Sequence, residues 1–242
     1  MAHKRLGNSW PTRRRITVIA DPPSWFSIHA DALVAGLIAA GHDAVHIADQ
    51  TLVGPGDIAF YLSCTGITPP ERLALNRFNI VVHASALPEG RGFSPLVWQV
   101  LEGRHIIPLT MITMTEAVDA GDILMQRDLV FQGHELNDEM RTAMGAAIVG
   151  MCHDFAAAPV PAEGQPQQGT GSWYRRRGPE DSRLDPDRTL AEQFDLMRVV
   201  DNDRYPAFFD HRGHRYTLRI DRVSPDTGQK RDQDPRTEPG HD

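Results

Sequence analysis

Residues 79–103 read NIVVHASALPEGRGFSPLVWQVLEG. The apolar run 80–82 is typical of a buried strand, yet it ends in His83 and opens into a loop of small residues, a proline, an arginine and glycines. A helical pattern follows and is closed by Gly103. A strand of the core has no structural need for a terminal histidine and such a loop. The stretch therefore indicates a strand that delivers a polar side chain to the edge of a sheet.

Strand and helix patterns alternate on both sides of this stretch. Strand patterns recur over 16–20, 43–49, 57–64, 106–113 and 122–130, and helical patterns over 30–40 and 135–155. This alternation predicts an α/β fold, a Rossmann-like domain with an open, parallel or mostly parallel sheet covered on both faces. Ligands of such sheets bind outside the carboxyl ends of the strands.

Composition divides the chain into parts. The α/β pattern occupies 15–158 and follows an N-terminal extension, 1–14. Residues 159–173 are rich in Pro, Gly and Gln, and they predict a linker. Residues 174–223 predict a small C-terminal subdomain made of a helix and a β-hairpin. The stretch 224–242 lacks apolar residues and predicts a disordered tail.

Charge and composition exclude several classes of partner. The chain has 32 acidic and 25 basic residues and a formal charge of −7, so we expect no nucleic-acid partner. No apolar run approaches the about 20 residues that span a bilayer, so we expect no membrane partner. The basic start of the chain has no apolar segment behind it, and Cys64 and Cys152 form no close pair, which favours a cytoplasmic protein without disulfides. His134-Glu135 lacks the second histidine of a zinc motif, so we expect no metal.

One pair of residues suggests chemistry. His83 lies where an apolar strand ends, and Asp119 opens the DAGD turn shortly after the next strand pattern, 106–113. Neighbouring strands could bring both side chains to one edge of the sheet, where a histidine held by a carboxylate acts as a general base or an oriented donor. The same spacing also fits a strand-end histidine and an ordinary turn aspartate.

Two motifs in order, HASALPEGRGFSPLVW at 83–98 and VDAGDIL at 118–124, resemble the 10-formyltetrahydrofolate-dependent formyltransferase family. This family includes methionyl-tRNA formyltransferases, glycinamide ribonucleotide transformylases and sugar N-formyltransferases. The likeness covers roughly 15–155, which implies that the α/β domain at 15–158 is the catalytic domain. It implies a catalytic role for His83 and Asp119, because the family carries catalysis on an Asn-x-His strand end and on the first aspartate of such a turn.

The resemblance also implies 10-formyltetrahydrofolate as the co-substrate, with its pterin held largely by backbone groups of two loops. The residues at the matching positions are Thr65, Gly66, Ile67, Leu87, Pro88, Glu116, Ala117 and Val118. Trp25 and Phe26 follow the turn after the first strand, where we expect them to contact the amine substrate, together with Arg91.

The chain departs from the family pattern at Val81, which stands where the family has its asparagine. Asn79 cannot replace that residue, because it lies four positions before His83 at about 3.3 Å per residue. Ser85 and Ser63 are candidates to support the oxyanion in its place. Their alternative role is to satisfy the backbone of their loops.

Within the family, the chain most resembles sugar N-formyltransferases, so the expected acceptor is a primary amine of an amino sugar or of a nucleotide-linked amino sugar. Other possibilities are hydroxyornithine or another small amine, water in a formyltetrahydrofolate hydrolase, and a folate-binding or scaffold protein without turnover. The predicted hairpin at 207–220 exposes an apolar edge, from which we expect a homodimer.

Overall fold

A computed structural model describes residues 10–22 and 24–223. In this part of the chain the strands are β1 (Arg15–Ile19), β2 (Asp43–Ile47), β3 (Gly56–Tyr61), β4 (Asn76–His83), β5 (Arg91–Gly92), β6 (Ile106–Thr113), β7 (Ile123–Val130), β8 (Trp173–Tyr174), β9 (Ala207–His211) and β10 (His214–Leu218). The helices are α1 (Ser27–Ala39), α2 (Pro70–Leu73), α3 (Pro95–Leu101), α4 (Asn137–Ala157) and α5 (Phe194–Arg198), with 3₁₀ turns at Gln50–Leu52 and Pro179–Ser182.

The described residues form a main sheet of six strands in the order β2-β1-β3-β4-β6-β7. β2, β1, β3 and β4 are parallel, whereas β6 runs antiparallel to β4 and β7 antiparallel to β6. The expected α/β fold with a mostly parallel sheet is therefore confirmed. Because β6 runs against β4, Thr113 at the end of β6 pairs with Ile80 rather than with His83.

One face of the sheet is covered by α1 and α4, which pack against each other. Leu33 and Leu37 of α1 and Met151 and Phe155 of α4 are fully or almost fully buried there. Helical spacing accounts for this, since residues three or four apart share one side of a helix. Most of the hydrophobic core thus lies on this face.

The opposite face carries a smaller cluster that includes Ile19, Ala59 and Tyr61, with Val81 packed against it. Successive side chains of a strand point to opposite faces, so His83 shares the face of Val81. The end of β4 therefore presents the histidine on the thinly covered side of the sheet.

The C-terminal part contains the expected helix and hairpin. β9 and β10 are antiparallel and are joined at Arg212 and Gly213, both of which have positive φ, as a tight hairpin turn requires. Phe209 and Tyr216 stack across the strands with their ring centroids 5.4 Å apart. The homodimer through this hairpin stays a prediction, and the tail at 224–242 lies outside the described residues.

Residues 159–173, expected to be a linker, make specific contacts with the α/β domain. The backbone of Gln165 exchanges two hydrogen bonds with Ile123, of 2.8 and 2.9 Å. β8, at the end of this stretch, pairs in parallel with β5, with Trp173 opposite Arg91. This stretch thus binds the domain through its backbone groups, and its role as a linker stays a prediction. The other predicted boundaries stay predictions.

Among the described residues, no helix is long and apolar enough to span a membrane.

Candidate active site

His83 is held between two loops at the end of β4. Its Nε2 lies 2.8 Å from the carbonyl oxygen of Gly90, and its Nδ1 lies 3.6 Å from Oδ1 of Asp119. A carbonyl oxygen can only accept a hydrogen bond, so Nε2 carries the proton. In the neutral ring, Nδ1 therefore keeps its lone pair on the side of Asp119. The side chains of His83 and Asp119 are 11% and 14% exposed, so both are shielded but reachable.

Asp119 lies in the connection between β6 and β7, in a left-handed backbone conformation with φ 52°. Its Oδ2 accepts a hydrogen bond of 2.9 Å from the backbone N–H of Gly92. Gly121 makes the fold of this loop possible, because a Cβ at that position would overlap the carbonyl oxygen of Thr113. The loop can thus return across the sheet from the end of β6 towards His83.

The structure brings His83 and Asp119 together, but not by the expected route. Parallel neighbouring strands would have ended at one edge. Instead, β6 is antiparallel to β4, and the N–H of Met114 donates to the carbonyl oxygen of Asn79, 2.7 Å away and well before the end of β4. The loop that follows must fold back to reach the histidine.

The loop after His83 is tightly held. Gly92 has φ 95°, and a Cβ there would overlap the carbonyl oxygen of Tyr174 in β8, so the close approach of β5 and β8 requires glycine. Leu87 and Pro88, predicted to contact the folate, are both buried in this loop, and the Pro88 carbonyl accepts the Ser172 N–H at 3.3 Å. Any contact of these two residues with a pterin would need backbone groups rather than side chains.

The other predicted folate residues lie on two exposed loops. Thr65, Gly66 and Ile67 follow β3, and the N–H of Thr65 donates to Asp21 at 3.1 Å. Glu116, Ala117 and Val118 precede Asp119 and are also exposed. Ile67 is 80% exposed and Val118 51% exposed, so each loop offers an uncovered apolar side chain. These residues stay predictions as a folate site.

The three predicted substrate residues have different surroundings. Phe26 is 0% exposed and belongs to the main core, so the prediction that it contacts the substrate is wrong. Its ring lies 5.4 Å from that of Trp25, which is partly buried against the same core. Arg91 is near the candidate pair in sequence and structure, but its guanidinium donates to Oε1 of Gln167 at 2.6 Å.

The two serines predicted to support the oxyanion, Ser85 and Ser63, lie in different environments. Ser85 is 2% exposed and donates its hydroxyl to the carbonyl oxygen of Glu89 at 2.7 Å, so it satisfies the loop and is not a free donor. Ser63 lies two residues after the end of β3, is exposed and has φ 62°. Val81 packs in the apolar cluster, and Asn79 donates to the carbonyl oxygen of Leu73. Of the two serines, only Ser63 keeps an exposed position.

Three groups that hold the pair were missed from the sequence. They are the N–H of Gly92, the carbonyl of Gly90 and the side-chain amide of Gln167. Contacts of backbone groups cannot be predicted from residue types, and Gln167 lies in a stretch whose composition resembles a linker. Among the described residues, no group of three or more His, Cys, Asp or Glu side chains could hold a metal ion.

The two thiols are expected to react slowly. Burial and the nearby Asp21 raise the pKa of Cys64 to about 12, and burial also raises the pKa of Cys152. Thiolate is the reactive form, so a raised pKa leaves little of it at pH 8. Intact-mass measurements with iodoacetamide at pH 8 should show much slower labelling of folded than of urea-unfolded protein. Rapid labelling of one site in the folded protein would contradict the raised pKa of Cys64, which is the less buried of the two thiols.

No protein-family model matches the chain. A curated relative, methionyl-tRNA formyltransferase from Pelotomaculum thermopropionicum, is 29% identical over 136 residues, which make up 54% of this chain and 43% of that protein. The match therefore spans less than half of the length of that relative.

Solved structures resemble most of the chain. Methionyl-tRNA formyltransferase from Clostridium thermocellum has a TM-score of 0.71 at 24% identity, over 83% of this chain and 90% of that one. A sugar N-formyltransferase from Shewanella sp. FDAARGOS_354 has a TM-score of 0.60 at 16% identity, over 87% and 99%. HypX from Aquifex aeolicus in complex with tetrahydrofolic acid has a TM-score of 0.66 at 15% identity, over 85% and 37%. The chain has the fold of these proteins, and the expected resemblance to the formyltransferase family is confirmed.

Proposed function

We propose that this chain transfers a formyl group from 10-formyltetrahydrofolate to a primary amine, with His83 and Asp119 as its catalytic residues. The proposal rests on one observation: Nδ1 of His83 lies 3.6 Å from Oδ1 of Asp119, and both side chains are largely shielded from solvent. The curated relative and two of the solved structures support it, since they are named as formyltransferases. HypX, which has a similar fold, is a complex with tetrahydrofolic acid.

The exposed apolar side chains of Ile67 and Val118 fit the co-substrate, because a flat heterocycle needs apolar surface with a few main-chain donors. When bound, the co-substrate supplies the activated formyl carbon. The neighbouring loops would hold its pterin through backbone groups.

His83 accepts a proton in this proposal. The amine nitrogen attacks the formyl carbon, a new C–N bond forms and the bond from that carbon to the folate nitrogen breaks. The amine loses one proton and the folate nitrogen gains one. Nδ1 of His83 is the atom free to take the proton, since Nε2 is already a donor to Gly90. Asp119 then faces an imidazolium, whose charge its carboxylate stabilises.

The developing charge on the formyl oxygen needs donors, and Val81 supplies none. The protonated His83 is the main partner in this proposal. Ser63, exposed near the end of β3, or a bound water is the second. Loss of one such donor typically costs about 10²- to 10³-fold in rate, so the chain is expected to be slow unless a second donor is present.

The acceptor that we favour is an amine of an amino sugar or of a nucleotide-linked amino sugar. The solved sugar N-formyltransferase supports this choice, because nearly all of that chain is covered. The curated relative acts on methionyl-tRNA by its name, but a formal charge of −7 disfavours binding to a phosphate backbone. Hydroxyornithine, other small amines and water are the competing acceptors.

A second candidate is a folate-binding protein without turnover. Val81 favours it, because an apolar side chain stands where the family has a carboxamide. The same loops would bind the folate, and the His83–Asp119 pair would then have only a structural role.

The test is product analysis by mass spectrometry. The full chain is incubated with 10-formyltetrahydrofolate and, separately, with amino-sugar nucleotides, free amino sugars, hydroxyornithine and no amine. A formylated amino sugar that requires the protein is the expected result. Formate without an amine would identify a hydrolase, and folate binding without any product would favour the second candidate.

A further inference from the structure

We infer that Gln167 is a positioning residue that holds Asp119 in place against His83. This inference rests on the proposed role of the pair. Gln167 belongs to the stretch 159–173 that the composition marks as a linker, and it does not itself touch the reacting atoms in the proposal.

The amide of Gln167 is bonded at both ends. Its Nε2 donates to the carbonyl oxygens of Asp119 and Gly121, each at 2.8 Å. Its Oε1 accepts from the guanidinium of Arg91 at 2.6 Å. Two carbonyl acceptors on one side and a cationic donor on the other allow only one orientation of the amide. Both amide hydrogens are therefore committed to the loop that carries Asp119.

Asp119 needs such support because of its backbone. A non-glycine residue at φ 52° is uncommon, and such a conformation persists only where its surroundings fix it. The residues just before it, 115–118, are exposed, so the loop has little packing on that side. The two bonds from Gln167 flank the turn and fix the backbone from which the carboxylate extends.

The same stretch also fixes the partner of His83. The hydroxyl oxygen of Ser172 accepts the backbone N–H of Gly90 at 2.8 Å, and the carbonyl of Gly90 accepts the Nε2–H of His83. The N–H of Arg91 donates to the carbonyl of Ser172 at 3.0 Å. Segment 167–172 thus contacts both the loop that carries Asp119 and the loop that holds His83. Gln167 makes the contact with the Asp119 loop.

Kinetics of Gln167→Ala and Gln167→Glu give the first test. A small displacement of a catalytic group can cost about 10²-fold, so kcat should fall by about 10- to 10²-fold, with the KM values for folate and amine little changed. The glutamate keeps an acceptor for Arg91 but cannot donate to the two carbonyls. It should therefore be as impaired as the alanine variant, which would assign the effect to donation rather than to contact with Arg91.

A double-mutant cycle tests whether Gln167 acts through Asp119. In an Asp119→Asn background, Gln167→Ala should lower kcat little further, because the group that it positions is already lost. Gln168→Ala is the matched control, since Gln168 is the exposed neighbour and makes none of these contacts. It should keep wild-type kinetics. Independent, multiplying losses in the cycle would overturn the positioning role.

Amide hydrogen exchange at Gly92 provides a readout that needs no activity. Its N–H donates to Asp119 Oδ2, so its exchange should accelerate in Gln167→Ala and Gln167→Glu but not in Gln168→Ala. If the wild type transfers no formyl group, the proposed function fails while this measurement still decides the inference. Unchanged protection of Gly92 in folded Gln167 variants, or unchanged kcat in an active enzyme, would overturn it.

Discussion

His83→Ala and Asp119→Asn are each expected to lower formyl transfer by about 10²- to 10⁴-fold, the usual effect of removing a proton-transfer group. His83→Ala removes the base whose Nδ1 faces the carboxylate. Asp119→Asn keeps the size of the side chain but removes the negative charge that stabilises the imidazolium of His83. Steady-state kinetics with the acceptor identified by product analysis would measure both effects.

Two matched substitutions control for general damage. His214→Ala changes an exposed histidine of β10, and Asp128→Asn changes an exposed aspartate of β7. Both should keep wild-type turnover. The proposed pair is wrong if His83→Ala or Asp119→Asn, folded by circular dichroism, stays near wild-type activity.

Gly121→Ala is expected to lower formyl transfer by about 10²-fold, although it adds only one methyl group. The new Cβ would overlap the carbonyl oxygen of Thr113 and lie 2.8 Å from its Oγ1, so the turn must open. Opening moves Asp119, two residues earlier, away from His83. The overlap should also lower the free energy of unfolding by about 1–3 kcal/mol, the usual range for overpacking. Kinetics and urea unfolding would measure the two effects separately.

Gly54→Ala is the control for this substitution. A Cβ at Gly54 meets no other group within 4 Å, so neither activity nor stability should change much. If Gly121→Ala were as harmless as Gly54→Ala, the close approach to Thr113 would not be what fixes the position of Asp119.

The sequence was sufficient to predict that His83 and Asp119 lie close together. His83 ends an apolar run, and Asp119 opens a short turn that contains Gly121, so both depart from the periodicity of their surroundings. The α/β class follows from alternating patterns, because a strand and a helix bury their apolar residues at different spacings. These features depend on local sequence, which is why they could be read directly.

Other features depend on tertiary contacts. The direction of β6 could not be predicted, because an apolar strand has the same pattern whether it runs parallel or antiparallel to its neighbour. Phe26 was misassigned for a similar reason, since a residue after a turn can face a ligand or precede a helix and pack in the core, as Phe26 does before α1. The role of Gln167 depends on backbone carbonyls more than forty positions away.

The pairing of β8 with β5 limits how this protein can vary. Substitutions in 159–173 are tolerable wherever a side chain points to solvent, but an insertion or deletion between Gln167 and Trp173 would shift the register at which Trp173 meets Arg91. The number of residues in this interval is therefore constrained even where their identity is not. A sequence search for proteins with the same arrangement should score the spacing from Gln167 to Trp173, rather than treat the region as a gap of free length.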